Sequence, residues 1–384
     1  MNEWRALDRD AITTPEELSK ALNVDVTKIR QVQKQFPFRV NRYYLSLIRE
    51  VGDPIWKQAI PDPKELINNG FEDPLAEEHD SPVPNITHRY PDRVLFYVSS
   101  LCAMYCRFCT RKRKVSDPKS VYDNGIESGL KYIREHKIIR DVIVSGGDPL
   151  LLTNKKIEYI LKSLRRIQHI EIIRIGTRTP VTLPQRITAK LCEILKQYHP
   201  LYINTHFNHP REITPESKKA CARLADAGIP LGNQTVLLKG VNDTPQVMKK
   251  LLQMLLTIRV KPYYIYQVDL VKGTEHFRTP VQTGLNIIQA VRGYTSGMAV
   301  PHFVIDAPGG GGKIPLMPDP IVCCKDNNIY LKNFEGNIFT YPSVSDITNK
   351  KDIFKNSIKL PAAIIEKQKK LKNSDLIGEE NRIA

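Results

Sequence analysis

Short apolar runs alternate with amphipathic segments over most of the chain after Arg93. The runs have the length of buried strands, and they lie at residues 94–98, 141–144, 172–175, 201–204, 234–238, 263–268 and 303–305. Between them, apolar residues recur at helical spacing, as at residues 157–167 and 247–255. About six strand–helix units in series predict an α/β fold built on a parallel sheet or barrel.

The first eighty or so residues have a different pattern, which predicts helices. Thr14-Pro15-Glu16-Glu17 is a capping box with a proline at the first helical position. A proline-rich passage at residues 61–84 follows and predicts an extended linker. We therefore expect three parts, a helical region with its linker, a barrel core and a C-terminal extension, at residues 1–86, 87–320 and 321–384. An amphipathic helix is predicted within the extension, at residues 361–371.

Composition narrows the class of protein. The chain has 384 residues, of which 41% are hydrophobic and 26% charged, as in ordinary globular proteins of one or two domains. Its apolar runs fall short of the roughly 20 residues that span a bilayer, and the first residues lack a signal-peptide pattern. We expect a cytoplasmic protein without a membrane partner, in a compartment where thiols stay reduced. Seven cysteines then favour metal ligation over disulfides.

The formal charge of +16 allows nucleic acid, anionic substrates or a lysine-rich surface as its explanation. Much of the charge is spread along the chain. The denser run of Arg107 and residues 111–114 lies beside three cysteines, and it is therefore the best candidate for a specific role.

Polar or glycine-rich residues follow the predicted strands. In parallel α/β folds, the functional site lies at the carboxyl ends of the strands. These ends carry the three cysteines, Ser145-Gly146-Gly147-Asp148, Thr205-His206-Phe207-Asn208-His209, Asp269, and Asp306 with the glycine run before Lys313. So many polar strand ends indicate a single functional site.

Cys102, Cys106 and Cys109 are spaced C-x3-C-x2-C after the first predicted strand. Three close thiolates suit a soft metal or an iron–sulfur cluster. A structural zinc site normally has four ligands, and a fourth cysteine does not lie nearby in the sequence. A cubane held by three cysteines leaves one iron open to another ligand. The alternative is a set of structural or zinc-binding cysteines.

Lys313 ends the run Gly309 to Gly312. A P-loop would need glycine where Ala307 stands and Ser or Thr where Ile314 stands, so that interpretation fails. A lysine in this setting can instead form a Schiff base with pyridoxal phosphate (PLP). The alternative is a plain surface loop.

The cysteine spacing resembles that of the radical S-adenosylmethionine (SAM) enzymes, and Ser145 to Asp148 resemble their glycine-rich strand end. Together with Lys313, the chain resembles the lysine 2,3-aminomutase family from about Thr87 through Tyr341. The matching blocks are residues 87–93, 106–111, 204–210, 262–267, 276–280 and 307–313. The resemblance implies a partial (β/α)6-type radical SAM barrel with an N-terminal helical extension. It also implies three cofactors, a [4Fe–4S] cluster, SAM and PLP.

The resemblance assigns a role to each candidate residue. Cys102, Cys106 and Cys109 would bind the cluster, and Lys313 would carry PLP. The remaining assignments are Tyr90 and Arg93 to PLP, Ser145, Gly146, Gly147, Asp148, His206 and Gln234 to SAM, Arg111 to the substrate α-carboxylate, and Asp269 and Asp306 to the distal ammonium of lysine.

The implied activity is an isomerase reaction that moves the α-amino group of L-lysine to the β-carbon and gives β-lysine. Two aspartates would repel the distal carboxylate of glutamate, so they favour a cationic substrate. The alternatives are a 2,3-aminomutase for another amino acid such as arginine or glutamate, or for a protein-bound lysine. A radical SAM enzyme that modifies nucleic acid, or a non-enzymatic metal-binding module, is a more distant alternative.

The implied partners are a reducing electron donor such as flavodoxin or ferredoxin and further copies of the chain in a homo-oligomer, whereas we do not expect nucleic acid. Longer clostridial-type members carry a C-terminal zinc site with a cysteine where Thr244 stands here. This chain has no cysteine after Cys324. We therefore expect that zinc site to be absent.

Overall fold

The computed structural model describes residues 3–343 apart from 68, 116, 118–120, 122–124 and 326. The chain divides into two compact units, Met1–Pro318 and Asp319–Ala384. The helix predicted at residues 361–371 lies outside the described residues.

Within the described residues, five helices begin the first unit, and strands alternate with helices after the second strand. The helices are α1 (Glu3–Arg9), α2 (Pro15–Leu22), α3 (Thr27–Gln33), α4 (Arg42–Leu45), α5 (Pro54–Ala59), α6 (Gly125–Glu135), α7 (Asn154–Arg165), α8 (Thr179–Thr182), α9 (Ala189–Leu195), α10 (Pro215–Asp226), α11 (Pro245–Thr257) and α12 (Val281–Val291). The strands are β1 (Ile86–Tyr90), β2 (Arg93–Ser99), β3 (Asp141–Gly146), β4 (Ile172–Gly176), β5 (Leu201–Thr205), β6 (Leu231–Leu237), β7 (Val260–Gln267), β8 (His302–Ala307) and β9 (Gly312–Leu316).

One nine-stranded sheet organises this unit, with its strands in sequence order from β1 to β9. Strands β2 to β8 pair in parallel, whereas β1 and β9 pair antiparallel at the two edges. The seven predicted strands correspond to β2 through β8 and are confirmed. The fold is therefore an α/β partial barrel. The two edge strands were not predicted, because the five-residue segments at residues 86–90 and 312–316 carry no continuous apolar run.

The helices pack their predicted apolar faces against the sheet. In α11, Thr244 accepts a hydrogen bond from the Val247 N–H and caps the helix. The buried positions of α7 and α11 are those of the predicted faces, namely Ile157, Ile160, Leu161, Leu164, Met248, Leu251, Leu252 and Leu255. The hydrophobic pattern thus decided which side of each helix faces the core.

Two helical glycines allow a close approach of helix to sheet. A Cβ on Gly129 of α6 would lie 2.6 Å from the ring of Phe96 on β2, and one on Gly284 of α12 would lie 2.2 Å from the ring of Phe303 on β8. Both phenylalanines are buried. Each helix therefore rests directly on an aromatic ring of the sheet, an approach that any larger residue would prevent.

The N-terminal helices form as predicted, and they pack against the loop that follows β2. Thr14 and Glu17 make the reciprocal hydrogen bonds of the capping box. We call residues 100–111 the cysteine loop. Its backbone donates to the N-terminal region, from Tyr105 N–H to Arg39 O (2.9 Å) and from Arg107 N–H to Gln58 O (3.0 Å). The N-terminal region therefore covers the cysteine loop.

A buried ion pair reinforces this contact. Arg107 donates to both carboxylate oxygens of Glu65, at 2.9 and 2.6 Å, and to Pro37 O at 2.9 Å. Both side chains are almost fully buried. Because its guanidinium is paired with Glu65, Arg107 has a structural role and joins the cysteine loop to the N-terminal region.

In the second unit, the described residues form a three-stranded antiparallel sheet of β10 (Ile321–Lys325), β11 (Asn328–Lys332) and β12 (Ile338–Pro342). Cys323 and Cys324 are exposed on β10. Within the part of the chain that the structure describes, no helix has the length and apolarity needed to cross a membrane.

Replacing Arg107 by methionine should destabilise the protein strongly. The change leaves the Glu65 carboxylate buried with Lys112 as its remaining cationic partner, and breaking a buried pair costs about 3–5 kcal/mol. Urea unfolding of the apoprotein measures this loss. The control is Arg30→Met, which breaks an exposed pair with Glu16 and should cost less than about 1 kcal/mol. Equal effects of the two substitutions would contradict the structural role of Arg107.

Candidate functional site

The three predicted cluster ligands lie together in the cysteine loop, directly after β2. The Arg178 guanidinium donates from Nη1 to Cys106 Sγ at 2.9 Å, and the Arg111 backbone N–H donates to Cys109 Sγ at 3.3 Å. Hydrogen bonds from N–H groups to ligand sulfurs are typical of iron–sulfur sites. The polar contacts of the loop thus suit thiolate ligands.

The thiols are protonated unless a metal binds them. Burial raises the pKa of Cys102 well above its usual value, and burial and the Cys106 thiol raise that of Cys109 to about 11. Buried thiols with raised pKa values become thiolates when a cation binds them. In the described part of the chain, no three His, Cys, Asp or Glu side chains converge on a single-ion site. A cubane binds each thiolate at a separate iron, so its ligands need not converge on one point.

The glycine-rich turn after β3 packs against the start of the cysteine loop. Gly146 has φ of +144°, and a Cβ there would lie 2.2 Å from Ser99 O. A Cβ on Gly147 would lie 2.4 Å from Leu101 O. The two glycines therefore let the end of β3 approach the backbone that leads into Cys102. Their predicted contact with SAM, like that of Ser145, stays a prediction.

Asp148 is buried and orders the neighbouring strand end. Its Oδ1 accepts from Thr177 Oγ1 (2.6 Å) and the Leu150 N–H (3.1 Å), and its Oδ2 accepts from the Arg178 N–H (2.8 Å). These bonds join the ends of β3 and β4. The side chain thus has a positioning role here, and its predicted part in SAM binding remains a prediction.

Lys313 lies on β9, directly across from Asp306 on β8. Its Nζ is 2.8 Å from Asp306 Oδ2 and 5.6 Å from the centre of the Tyr266 ring. The Tyr266 hydroxyl in turn accepts a hydrogen bond from Gln234 Nε2 at 3.2 Å. Residues of four neighbouring strands, β6 to β9, therefore meet around the Lys313 ammonium.

The two edge strands of the sheet approach each other at the same place. The Lys313 N–H donates to Tyr90 Oη at 3.0 Å, which links β9 to β1. The Arg93 guanidinium carbon lies 3.8 Å from the centre of the Tyr90 ring, a cation–π contact. Tyr90, Arg93 and Lys313, for which the family resemblance implies contacts with PLP, are thus neighbours. An aromatic ring, a cation and a lysine amine are groups that suit the ring, phosphate and aldehyde of PLP.

Asp269 lies just beyond β7 and is held by the cysteine loop. Its Oδ2 accepts a hydrogen bond from Thr110 Oγ1 at 2.5 Å. Burial raises the pKa of Asp269 to about 6, with Asp306 contributing in the same direction and Lys313 opposing it. The two predicted ammonium ligands therefore lie within electrostatic range of each other and of Lys313.

Arg111 already makes a partly buried ion pair. It donates from Nε to both carboxylate oxygens of Glu77 (3.0 Å each) and from Nη2 to Oε1 (2.6 Å). Burial alone would raise the pKa of Glu77, but Arg111 and Arg113 lower it to about 2. Glu77 thus orients the guanidinium through its Nε edge.

The whole basic run beside the cysteines is paired with carboxylates. Arg107 and Lys112 bind Glu65, and the remaining pairs are Arg111–Glu77, Arg113–Asp73, Arg113–Glu77, Arg113–Glu78 and Lys114–Glu78. The acidic partners come from the proline-rich passage, so the run anchors that passage over the cysteine loop. These pairs leave little reason to assign the run to phosphate binding.

His206 lies just after β5, beneath the cysteine loop. Its ring centre is 5.5 Å from that of Phe108, and Nε2 is 3.1 Å from Asn208 Oδ1. Burial and the neighbouring Arg178 lower the pKa of His206 to about 3. The imidazole is therefore neutral at physiological pH, so one ring nitrogen donates a hydrogen bond and the other accepts one.

Sequence reasoning missed four residues that position the site, Glu77, Thr110, Arg178 and Tyr266. Arg178 had a usable signal, because Thr177-Arg178 follows β4 just as the other candidates follow their strands. Glu77 had none, since it lies in an irregular passage far from Arg111 in sequence.

This site, three loop cysteines at the carboxyl end of the first parallel strand of a partial barrel, defines a radical SAM protein. The profile described as "Radical SAM superfamily" matches residues 96–252. A second profile, "Lysine-2,3-aminomutase", matches residues 288–380.

Curated relatives identify the family within this class. The chain is 56% identical to "L-lysine 2,3-aminomutase" of Methanococcus maripaludis over 326 residues, which are 83% of this chain and 75% of that protein. It is 53% identical to the enzyme of the same name from Clostridium subterminale over 348 residues, 88% of this chain and 84% of that protein. "Glutamate 2,3-aminomutase" of Clostridioides difficile is 48% identical over 343 residues, 88% of this chain and 81% of that protein. The chain belongs to the lysine 2,3-aminomutase family.

Asp269→Asn should stabilise the protein at high pH. The native pKa of about 6 exceeds the usual 3.8, so the native state keeps this proton longer than the unfolded state. The proton's contribution to stability is therefore full below about pH 4 and is lost as the pH rises through about 6. A shift of about two units corresponds to about 3 kcal/mol at most.

Urea unfolding of the apoprotein tests this expectation. Asp269→Asn should raise the unfolding free energy by about 1–3 kcal/mol at pH 8, and the gain should shrink toward pH 4. The exposed Asp226, paired with Arg259, provides the control, since Asp226→Asn should change stability by less than about 1 kcal/mol at either pH. A loss of stability in Asp269→Asn at pH 8 would contradict the raised pKa.

Proposed function

We propose that the protein is an L-lysine 2,3-aminomutase that moves the α-amino group of lysine to the β-carbon, with a [4Fe–4S] cluster, SAM and PLP as cofactors. The observation that carries the proposal is the placement of Asp306 and Asp269 around the ammonium group of Lys313. Family membership supports the radical chemistry, and the acidic pair supports the substrate.

The acidic pair suits an alkylammonium ion. Asp306 Oδ2 accepts a hydrogen bond from the Lys313 ammonium at 2.8 Å. The distal group of a lysine substrate is also a primary ammonium. Asp269, half-buried and held by Thr110, adds a second carboxylate. A carboxylate-bearing substrate such as glutamate would place a third negative charge beside two half-buried carboxylates, at an electrostatic cost. The acidic pair therefore favours a substrate with a cationic side chain. Sequence identity alone does not choose between lysine and glutamate, because relatives that carry both names are similar to this chain.

The opposite end of the substrate carries an α-carboxylate, for which Arg111 remains the proposed partner. Glu77 holds the Nε edge of the guanidinium, so the carboxylate would meet the edge that bears Nη1. An arginine oriented by a fixed carboxylate keeps one geometry. Glu77 thus sets the direction from which the substrate binds.

The remaining residues bind and orient the cofactors. The reduced cluster and SAM, when bound, supply a radical that abstracts hydrogen, and PLP supplies a conjugated system that stabilises a neighbouring radical. Lys313 would attach PLP, with Tyr90 against its ring and Arg93 at its phosphate. The neutral His206, just after β5, and Gln234, in the middle of β6, would hold SAM. A cytoplasmic location, a flavodoxin or ferredoxin as electron donor, and a homo-oligomer remain part of this proposal.

Reduction of the PLP-loaded protein with borohydride should label Lys313. The reagent converts the lysine–PLP linkage to a stable secondary amine, which peptide mass spectrometry locates. Lys313→Ala should lose both the label and the visible absorbance of bound PLP, whereas the exposed Lys239→Ala should keep both. A label on another lysine in the wild-type protein would overturn the assignment.

Anaerobic assays with lysine, arginine and glutamate side by side test the substrate. We expect β-lysine from lysine and no product from glutamate. Arginine also has a cationic side chain, so the acidic pair does not distinguish it from lysine and the assay must do so. Asp269→Asn and Asp306→Asn should each lower kcat/KM for lysine by at least about 30-fold, since losing one partner of a buried charge pair costs about 2–5 kcal/mol.

The exposed Asp226→Asn variant is the matched control and should retain full activity. Formation of 5′-deoxyadenosine without any β-amino acid from the three substrates would refute the proposed function.

A further inference from the structure

We propose that Arg178 raises the reduction potential of the [4Fe–4S] cluster through its hydrogen bond to Cys106, an inference that rests on the cluster in the proposed function. Arg178 follows β4, at the same end of the sheet as the cysteine loop. Its backbone N–H donates to Asp148 Oδ2 at 2.8 Å, which fixes the start of its side chain.

Each nitrogen of the guanidinium has a defined partner. Nη1 donates to Cys106 Sγ (2.9 Å), and Nε donates to His206 O (3.1 Å). Nη2 donates to Glu212 Oε1 (2.8 Å) and to Gln58 Oε1 (2.6 Å). Because these partners lie on separate parts of the chain and Arg178 is buried, the guanidinium plane is held with Nη1 directed at the sulfur.

The negative and positive groups around Arg178 lie on different sides of its guanidinium. The Glu212 carboxylate lies on the Nη2 side, and it also accepts from Tyr44 Oη (2.6 Å) and from the backbone N–H groups of Asn208 (2.6 Å) and His209 (2.9 Å). Its negative charge is thus compensated by several donors away from the cysteine. The Arg178–Glu212 pair presents its positive end to Cys106.

This arrangement favours the reduced cluster. Uptake of one electron from an external low-potential donor makes the cluster one unit more negative. A fixed positive group next to a ligand sulfur stabilises the more negative state, and hydrogen bonds to the sulfurs are among the features that set the potential of such clusters. Arg178 therefore makes the cluster easier to reduce.

Arg186 shows what a buried arginine with a purely structural role contacts in this protein. It is also buried, and it donates to Leu150 O (2.7 Å), Leu152 O (3.0 Å) and Asn154 Oδ1 (2.9 Å). These acceptors are backbone and side-chain oxygens, and none of them is a ligand sulfur. Arg186→Lys is therefore the matched control for Arg178→Lys.

The test is an anaerobic redox titration of the reconstituted protein without SAM, followed by the electron paramagnetic resonance signal of the reduced cluster. The variants are Arg178→Lys, which replaces the forked guanidinium with a single ammonium, and the charge-neutral double variant Arg178→Gln with Glu212→Gln. The double variant avoids a buried unpaired carboxylate. Iron and sulfide analysis measures cluster content in each sample.

We expect both Arg178 variants to retain the cluster and to show a midpoint potential more negative than that of the wild type, while Arg186→Lys keeps the wild-type potential. An unchanged potential in both Arg178 variants would overturn the inference, because a structural or SAM-binding role would not move the potential of the SAM-free cluster. Loss of the cluster in both variants would also overturn it, by showing a role in retention. A wild-type protein that holds no cluster would instead refute the proposed function.

Discussion

Burial of the cysteine loop between the N-terminal helices and the strand ends is the constraint on which the rest of the structure depends. The loop carries half-buried thiols and cationic side chains into the contact between these parts, and each buried charge needs a fixed partner there. Glu65 provides one for Arg107, and Glu212 provides one for Arg178. The N-terminal region is therefore part of the site, since it supplies Glu65 and Gln58.

The same loop connects the proposed cofactor and substrate positions. Cys109, Thr110 and Arg111 are consecutive, so the proposed cluster ligand, the hydrogen bond to Asp269 and the proposed carboxylate partner are separated by only two peptide bonds. The antiparallel pair of β8 and β9 brings Lys313 opposite Asp306, and the Lys313 backbone N–H donates to Tyr90 Oη. A small displacement of the cysteine loop would thus alter cofactor and substrate contacts together.

Much of the fold was predictable because it depends on local patterns. The apolar runs gave the seven parallel strands, and the helical spacing gave the buried faces of α7 and α11. Cysteine spacing and the glycine run before Lys313 were equally local signals. The edge strands β1 and β9 were missed, since they are short, carry polar residues and form by pairing with a neighbour already in place.

The sequence by itself determined the positions of the parallel strands, the cysteine motif and the residue types at the strand ends, because each is a local feature of the chain. Only the tertiary structure decided the partners of the charges. Arg111 and Arg107 belong to one basic run, yet one is aligned by Glu77 toward the proposed substrate position and the other is consumed by Glu65. Arg178 likewise gains its place beside Cys106 from residues 34 and 120 positions away. Such pairings follow from how distant segments pack in three dimensions, and periodicity along the chain contains no record of them.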